Sequence, residues 1–317
     1  MQVVYLEPVP PDVEAIIRSC LPSNFTLRAR RVDESPSAIV DEADFILVAT
    51  TPLTSEIIAA APRLKLIQHQ GVGYDNVDVE AAARADVPIG LTPEGTNKPV
   101  AEHVILLTLS LYRNLLTANR TLRQGAWLQW QLRPQSYNLL GKTLGVVGLG
   151  RIGREVAQRA RGFECQLLYS DVARAPAEVE ARLEVEYVPF HDLLARSDIV
   201  TLHVPQDEST RGLIGAAELA RMKSTAVLIN TARGGLVDEA ALYQALISGQ
   251  IAGAGLDVFA VEPPAADNPL LQLDNVVATP HIAAGTRDAL ADKMRAAFAN
   301  MQRVAEGQLP RNQVQIE

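Results

Sequence analysis

The sequence predicts an α/β protein with two doubly wound parallel-sheet domains and a cleft between them. Short apolar runs bounded by Pro, Asp or Gly alternate with helix-like stretches, as in parallel sheets joined by crossover helices. The chain has 317 residues, and one hydrophobic core usually stops growing near that length. A glycine-rich turn from Gly148 to Gly153 lies between a predicted buried strand and a predicted amphipathic helix. These observations favour two domains, the second built around that turn.

The first third of the chain supplies one predicted sheet. Its strands are the apolar runs at residues 3–6, 45–48, 64–67 and 87–89, with helices at residues 12–19 and 79–84. Residues 99–117 form a longer predicted helix, because aliphatic side chains recur there at helical spacing. A helix of this length suits a connector between two domains.

A second series of predicted strands begins near residue 143. These strands lie at residues 144–147, 166–169, 199–202, 226–229, 254–256 and 276–278. The last predicted helix, residues 286–304, places Leu290, Met294, Phe298 and Met301 on one face, and we expect it to return to the first sheet. The predicted layout is a flavodoxin-like substrate-binding domain (residues 1–97 plus 285–317) and an inserted nucleotide-binding domain (residues 98–284).

Composition and charge exclude several classes of protein. The net charge is −8 and the sequence shows no basic patch, so nucleic acid is not an expected partner. No apolar run is long enough to span a membrane, and the amino terminus does not resemble a signal peptide. Cys20 and Cys165 are interpreted as buried, reduced thiols. The sequence therefore predicts a cytoplasmic protein.

The segment Gly148-Leu149-Gly150-Arg151-Ile152-Gly153 matches G-x-G-x-x-G, a pattern that gains weight from the strand before it and the helix after it. In a Rossmann domain the first glycine permits a tight turn, the second lets the backbone approach a pyrophosphate, and the third lets helix and strand pack closely. Asp171 ends the next predicted strand, where a carboxylate accepts from the ribose hydroxyls and repels a 2′-phosphate. NAD is therefore predicted over NADP, although Arg174 lies close enough to soften that preference.

Three charged or titratable residues follow the ends of later strands. Arg233 can bind a carboxylate with two parallel hydrogen bonds. His281 has the side chain suited to proton transfer near neutral pH, and Glu262, 19 residues earlier, is the candidate for orienting it. A carboxylate-binding cation, an acid–base pair and a nicotinamide site together indicate hydride transfer involving a 2-hydroxy or 2-oxo acid.

The other candidate residues are not assigned a catalytic role. His69 is a possible substrate contact, His103 is interpreted as structural or exposed, and His203 as a support on the adenine side. No Cys/His cluster has zinc spacing, so no catalytic metal is expected. The shape of the substrate pocket is predicted to depend on Leu53, His69, Gln70, Tyr74 and Trp130.

Taken in chain order, these motifs resemble the D-isomer-specific 2-hydroxyacid dehydrogenases. The resemblance spans nearly the whole chain. It rests on Gly71-Val72-Gly73-Tyr74-Asp75-Asn76-Val77-Asp78, Val100-Ala101-Glu102, Leu140-Gly141-Lys142-Thr143, the glycine turn, residues 230–235, residues 257–263 and Pro280-His281.

The resemblance implies a role for each site residue. Arg233 holds the substrate carboxylate and carbonyl oxygen, and His281 exchanges the proton with Glu262 as its partner. Val72 and Gly73 offer backbone N–H groups to the substrate. The residues implied in cofactor binding are Val100, Gly148, Gly150, Arg151, Ile152, Gly153, Asp171, Val204, Pro205, Thr231, Ala232 and Asp257, the last accepting from the nicotinamide carboxamide. The resemblance also implies a homodimer formed through residues 109–130.

Two alternatives remain open at this level. Phosphite-type anion dehydrogenases keep the Arg, Glu and His set, whereas formate-type enzymes carry glutamine where Glu262 stands. A non-enzymatic, NAD-sensing corepressor-like module keeps the three residues as well. The leading expectation is an NAD-dependent D-2-hydroxyacid dehydrogenase that reduces a small 2-oxo acid.

Overall fold

The computed structural model describes residues 1–315, which fold into two compact units. The first unit comprises Met1–Thr96 and the segment that begins at Gly285, and the second comprises Asn97–Ala284. The first boundary between the units, after Thr96, lies one residue earlier than the sequence predicts. Among the described residues, no helix has the length and apolar character needed to cross a bilayer.

The first unit contains a wholly parallel sheet in the order β2-β1-β3-β4-β5. Its strands are β1 (Gln2–Tyr5), β2 (Thr26–Ala29), β3 (Phe45–Val48), β4 (Leu66–His69) and β5 (Ile89–Gly90). Its helices are α1 (Pro11–Ser19), α2 (Ser55–Ala59), α3 (Val79–Arg84) and the last helix of the chain, α11 (Arg287–Ala305). Met294, Phe298 and Met301 of α11 pack into a core with Val3 and Phe45, so the last helix does return to the first sheet.

The strands of this sheet differ from the prediction in several places. β1 lies one residue earlier than expected, and β5 begins at Ile89 instead of residue 87. β2 was not predicted, because it is an edge strand in which only Leu27 is buried. β4 begins two residues later than expected and ends in two buried polar residues, Gln68 and His69. Burial of Gln68 is compensated because its amide donates to the carbonyl oxygen of Gly90 and to Oγ1 of Thr92.

The second unit contains a seven-stranded parallel sheet in the order β12-β11-β10-β9-β6-β7-β8. Its strands are β6 (Thr143–Val147), β7 (Gln166–Ser170), β8 (Val185–Tyr187), β9 (Ile199–Leu202), β10 (Val227–Asn230), β11 (Gly253–Leu256) and β12 (Val276–Ala278). Its helices are α4 (Asn97–Tyr112), α5 (Leu115–Arg123), α6 (Arg151–Arg161), α7 (Ala177–Leu183), α8 (Phe190–Arg196), α9 (Ala216–Leu219) and α10 (Glu239–Ile247). The strand order reverses between β6 and β9, and ligands of such sheets bind outside the carboxyl ends of the strands near this reversal.

The prediction of a single helix over residues 99–117 is wrong, because two helices occupy this segment. α4 ends at Tyr112 and α5 begins at Leu115, because Asn114 between them has a left-handed φ of 48°. Asparagine is one of the few residues that tolerate this conformation. The Asn114 amide donates to the carbonyl oxygen of Gln135 at 2.9 Å and lies 3.2 Å from Oγ of Ser136, which stabilises the break.

Candidate functional site

The glycine turn between β6 and α6 has the geometry of a pyrophosphate cradle. Gly148 has a φ of 93°, and a Cβ there would lie 2.7 Å from the carbonyl oxygen of His203. A Cβ on Gly153 would lie 2.1 Å from the carbonyl oxygen of Gly148, so helix and turn pack as closely as predicted. Gly150 caps α6 without a side-chain hydrogen bond, which leaves the first N–H groups of the helix for an anion.

Gly150 differs from the other two glycines in having open space beside it. A Cβ at this position would meet no heavy atom within 4 Å, and its φ of −73° suits any residue. The open space is where a dinucleotide pyrophosphate would approach the backbone. Together with the uncapped helix, it shows that the residues present fit a dinucleotide cofactor.

Gly150→Ala is therefore expected to weaken NADH binding by about tenfold, a loss of about 1.4 kcal/mol, without destabilising the protein. The added methyl group meets no heavy atom of the folded chain within 4 Å but would occupy the space predicted for the pyrophosphate. Fluorescence titration with NADH measures the first quantity and thermal unfolding without cofactor measures the second. Gly215→Ala, at a glycine away from this turn, is the control and should change neither; unchanged NADH affinity in Gly150→Ala would contradict the assignment of the cradle.

Asp171 lies directly after β7, beside the glycine turn. Its Oδ2 accepts the backbone N–H of Leu149 at 2.8 Å, and its Oδ1 accepts that of Val172 at 2.7 Å. These bonds fix the carboxylate at the carboxyl end of the sheet, where the sequence predicts that it contacts ribose. Arg174 is paired with Glu180 and is described below with that residue.

Three other predicted cofactor residues, Val204, Pro205 and Thr231, follow strands of the second sheet at the same edge, and a fourth, Val100, lies on α4. Val204 lies against the turn, since a Cβ on Gly148 would approach its Cγ1 to 2.9 Å, and Pro205 follows it. Thr231 follows β10, and its buried Oγ1 has no hydrogen-bond partner among residues 1–315. A buried hydroxyl without a partner costs free energy unless a ligand satisfies it. Val100 is 5% exposed on α4 and can offer only a small surface.

Arg233 is displayed by a short turn after β10. The side-chain amide of Asn230 donates to the carbonyl oxygen of Arg233 at 2.9 Å, and Asn230 Oδ1 accepts the N–H of Ala232 at 3.1 Å. A Cβ on Gly234 would lie 1.9 Å from the carbonyl carbon of Phe259. Glycine is therefore required there by close backbone approach, which brings the Arg233 turn against the loop that carries Glu262.

Glu262 and His281 form a hydrogen-bonded pair. Glu262 Oε2 lies 2.7 Å from His281 Nδ1, and Glu262 Oε1 accepts the backbone N–H of Phe259 at 3.0 Å. Because the carboxylate accepts, Nδ1 carries the proton and Nε2 is the nitrogen left for proton exchange. Burial alone would raise the pKa of Glu262, but the hydrogen bonds from His281 and Phe259 and the positive charge of Arg233 hold that pKa below its usual value.

The loop of His281 is held by Asp257, which is fully buried. Asp257 Oδ1 accepts from Thr279 Oγ1 at 2.6 Å and from the N–H of Ile282 at 2.9 Å, while Oδ2 accepts the N–H of Ala283 at 2.8 Å. His281 itself has a φ of 50°, a conformation that persists only where its surroundings impose it. Asp257 thus shapes the loop, and its contact with a nicotinamide carboxamide stays a prediction.

Sequence reasoning missed two members of this network. His103 Nε2 lies 2.9 Å from Thr279 Oγ1 and 3.6 Å from Asp257 Oδ1, so α4 is tied to the loop that carries His281. Desolvation outweighs the attraction of Asp257 and lowers the pKa of His103, which favours the neutral ring. The sequence could have indicated Thr279, because its hydroxyl-bearing side chain lies only two residues before His281. It could not have indicated His103, which lies 176 residues before Thr279 in the chain.

In the first unit, Val72 and Gly73 lie in the loop after β4. The neighbouring amide of Gly71 donates to Nδ1 of His69 at 3.0 Å, while Nε2 of His69 lies 2.9 Å from the carbonyl oxygen of Ala49. His69 is 4% exposed, so its ring is buried beneath the loop and supports it. The roles of Val72 and Gly73 as amide donors to substrate stay predictions.

The surroundings of three expected pocket and adenine-side residues can be described, while their roles stay predictions. Leu53 is 1% exposed and packs in the core of the first unit. Trp130 is 66% exposed, and the guanidinium of Arg133 stacks on its ring at 4.3 Å. His203 Nε2 lies 2.9 Å from Thr201 Oγ1, and burial lowers the pKa of His203 to about 3, which keeps the ring neutral.

Comparison with known proteins gives consistent matches. Residues 105–283 match the family model described as D-isomer specific 2-hydroxyacid dehydrogenase, NAD binding domain. A glyoxylate reductase of Korarchaeum cryptofilum is 42% identical over 274 residues, 86% of this chain and 82% of that protein. A hydroxypyruvate reductase of Thermotoga maritima is 44% identical over 254 residues, 79% of this chain and 81% of that protein. A glyoxylate reductase structure from Paecilomyes thermophila has a TM-score of 0.82 at 33% identity, covering 99% of this chain and 98% of its own.

The chain belongs to the D-isomer specific 2-hydroxyacid dehydrogenase family. It is an NAD-dependent oxidoreductase that acts on CH–OH groups, and the second unit is the NAD-binding domain. Members of this family act on small 2-hydroxy or 2-oxo acids. The fold class, the family and the cofactor predicted from the sequence are thereby confirmed.

Proposed function

We propose that this enzyme reduces a small 2-oxo acid, such as glyoxylate or hydroxypyruvate, to the corresponding 2-hydroxy acid of D configuration where the product is chiral. The observation that carries the proposal is the 2.7 Å contact between His281 Nδ1 and Glu262 Oε2, in the same unit as the glycine turn and the Arg233 turn. The names of the glyoxylate and hydroxypyruvate reductases at 42% and 44% identity support a substrate of this size.

Arg233 is assigned to the substrate carboxylate and carbonyl oxygen. Its guanidinium presents several N–H donors in a plane, so it can bind the carboxylate and polarise the adjacent carbonyl at the same time. The overall charge of −8 repels anionic substrates, which makes a local cation necessary for their recruitment. Gly234 fixes this cation beside the Glu262 loop because no larger residue fits against Phe259.

His281 is assigned to proton transfer. When bound, NADH supplies the hydride from C4 of its nicotinamide ring. His281 Nε2 then delivers a proton to the oxygen on which negative charge develops, and Glu262 stabilises the charged imidazole through Nδ1. In the oxidative direction the neutral His281 accepts that proton. The buried Asp257 keeps the loop of His281 in place in both directions of the reaction.

The test is a panel of 2-oxo acids with NADH, with phosphite and formate assayed alongside in the presence of NAD. The proposal predicts turnover of glyoxylate or hydroxypyruvate and no oxidation of phosphite. Phosphite oxidation without reduction of any 2-oxo acid would replace the proposal by the anion-dehydrogenase alternative. NADH binding without turnover of any compound would favour the corepressor-like alternative.

A second proposal concerns the assembly of the enzyme as a homodimer. α5 and the segment after it expose several large apolar side chains beside a groove of about 430 Å³, and patches of this kind on a folded chain mark interaction surfaces. The exposed residues are Leu115, Leu116, Leu122, Trp127 and Trp130. We assign a second copy of the chain as the occupant. Light scattering should then give a mass about twice the 34.3 kDa of one chain.

We also place the enzyme in the cytoplasm. Cys20 and Cys165 are both free thiols and are half-buried rather than buried as predicted. Burial raises the pKa of the Cys165 thiol to about 11, so it stays protonated and unreactive at neutral pH. A protein with two unpaired cysteines suits a reducing compartment.

A further inference from the structure

The loop after β7 carries two side chains of opposite charge on the adenosine side of the glycine turn. Asp171 is held there by the backbone amides of Leu149 and Val172. Arg174 follows three residues later. A guanidinium in this position is what a dinucleotide-binding domain uses to accept the 2′-phosphate of NADP. Whether Arg174 can do so depends on its present partner.

Arg174 is bound by the carboxylate of Glu180. Its Nε donates to Oε1 and its Nη2 to Oε2, both at 2.9 Å, which is the bidentate geometry that makes such pairs strong. The guanidinium also lies 5.8 Å from the ring centroid of Tyr187 on β8. Two side chains therefore draw Arg174 toward α7 and β8.

Glu180 is itself fixed in place. Its Oε1 accepts from the hydroxyl of Tyr169 at 2.5 Å, and Tyr169 is a fully buried residue of β7, two residues before Asp171. The same hydroxyl accepts the backbone N–H of Ala175 at 2.9 Å. The Glu180 side chain is 13% exposed, in contrast to 66% for Arg174. A single buried tyrosine thus anchors both the carboxylate and the loop that leads to it.

The charge on Glu180 persists at every pH used for assay. Hydrogen bonds from Arg174 and then Tyr169, together with the positive charge of Arg174, lower the pKa of Glu180 to about 2. Arg174 is therefore neutralised by a permanent partner and not by one that titrates near neutrality.

We propose that Glu180 is a cofactor-selectivity residue that acts by withholding Arg174 from the 2′-phosphate of NADP. The inference rests on the proposed contact of Asp171 with ribose, and it adds a second residue to the discrimination. Asp171 repels the 2′-phosphate directly. Glu180 pairs with Arg174, the cation that would otherwise offset this repulsion. Glu180 is a positioning residue, because it touches Arg174 and not the cofactor.

The test is Glu180→Gln, which keeps a side-chain oxygen for Tyr169 but removes the charge and one acceptor from Arg174. Cofactor-free protein is titrated with NADH, with NADPH and with adenosine 2′,5′-bisphosphate, which carries the 2′-phosphate but no nicotinamide. We expect about tenfold tighter binding of NADPH and the bisphosphate, the scale of one charge-assisted contact, with NADH affinity unchanged. The added Arg174→Ala substitution should abolish this gain.

Glu186→Gln is the matched control, because it breaks a similar bidentate pair with Arg196 at 2.8 and 3.1 Å in the same unit. The proposal is overturned if NADPH affinity does not rise in Glu180→Gln, if NADH and NADPH affinities rise together, or if the control variant behaves alike. Arg174→Ala in the otherwise native chain provides a test that does not depend on the folding of Glu180→Gln. It should leave NADPH binding unchanged, and weaker NADPH binding would overturn the proposal. These titrations contain no 2-oxo acid, so they remain decisive if the proposed reduction fails.

Discussion

Arg233→Ala is expected to lower kcat/KM for 2-oxo acids by about 10³-fold, the cost of removing a preorganised electrostatic group from a reacting oxygen. In the proposed mechanism, the variant loses both the cation that binds the carboxylate and the donor that polarises the carbonyl. Its affinity for NADH should not change, because the glycine turn and Asp171 lie on other segments of the sheet edge. Steady-state kinetics and NADH titration measure the two effects separately.

Arg233→Lys distinguishes charge from geometry. Lysine keeps the positive charge but lacks the planar set of donors, so only part of the loss should be recovered. Arg196→Ala, at an exposed arginine of the same unit, is the control and should retain full activity. Unchanged turnover in Arg233→Ala would remove Arg233 from the mechanism.

His281→Gln is expected to lower kcat by about 10²- to 10⁴-fold, the usual contribution of a positioned acid–base group. Glu262→Gln alone should give a smaller loss, because the histidine remains but its Nδ1 partner is no longer ionised. If Glu262 acts only through His281, as proposed, adding Glu262→Gln to His281→Gln should lower the rate no further. Single-turnover rates of the two single variants and the double variant test this dependence. Additive losses would show that Glu262 has a separate role.

The parts of the fold predicted correctly are those in which local pattern and packing agree. The run from β6 through the glycine turn into α6 combines a buried strand, fixed glycine spacing and an amphipathic helix, and each element indicates the same unit. β8, by contrast, was not predicted. It has three residues at the edge of the sheet, and only Val185 is buried, so it gives neither an apolar run nor an alternating pattern.

The break between α4 and α5 shows a different limit. The aliphatic spacing continues past Tyr112, but the left-handed Asn114 is stabilised by the main chain near residue 135, which no local pattern reports. The same holds at the candidate site. Histidine and carboxylate residue types could predict the pairing of His281 with Glu262, whereas the link from His103 to Thr279 depends on how α4 packs.

Gly234 and Glu180 illustrate properties that are visible only in three dimensions. At position 234 the structure requires glycine because the backbone of Phe259 lies against it, a contact between segments that are distant in sequence. Glu180 carries no signal in the sequence, because its pairing with Arg174 depends on the folded positions of α7 and the loop after β7.

Transfer of deuterium to hydroxypyruvate from NADH that carries deuterium at both C4 positions tests the central claim most directly. Mass spectrometry locates the label, and chiral chromatography gives the configuration of the product. Direct hydride transfer in a D-specific site predicts deuterium at C2 of the D-hydroxy acid. Loss of the label to solvent, or its appearance in the L-enantiomer, would contradict the account.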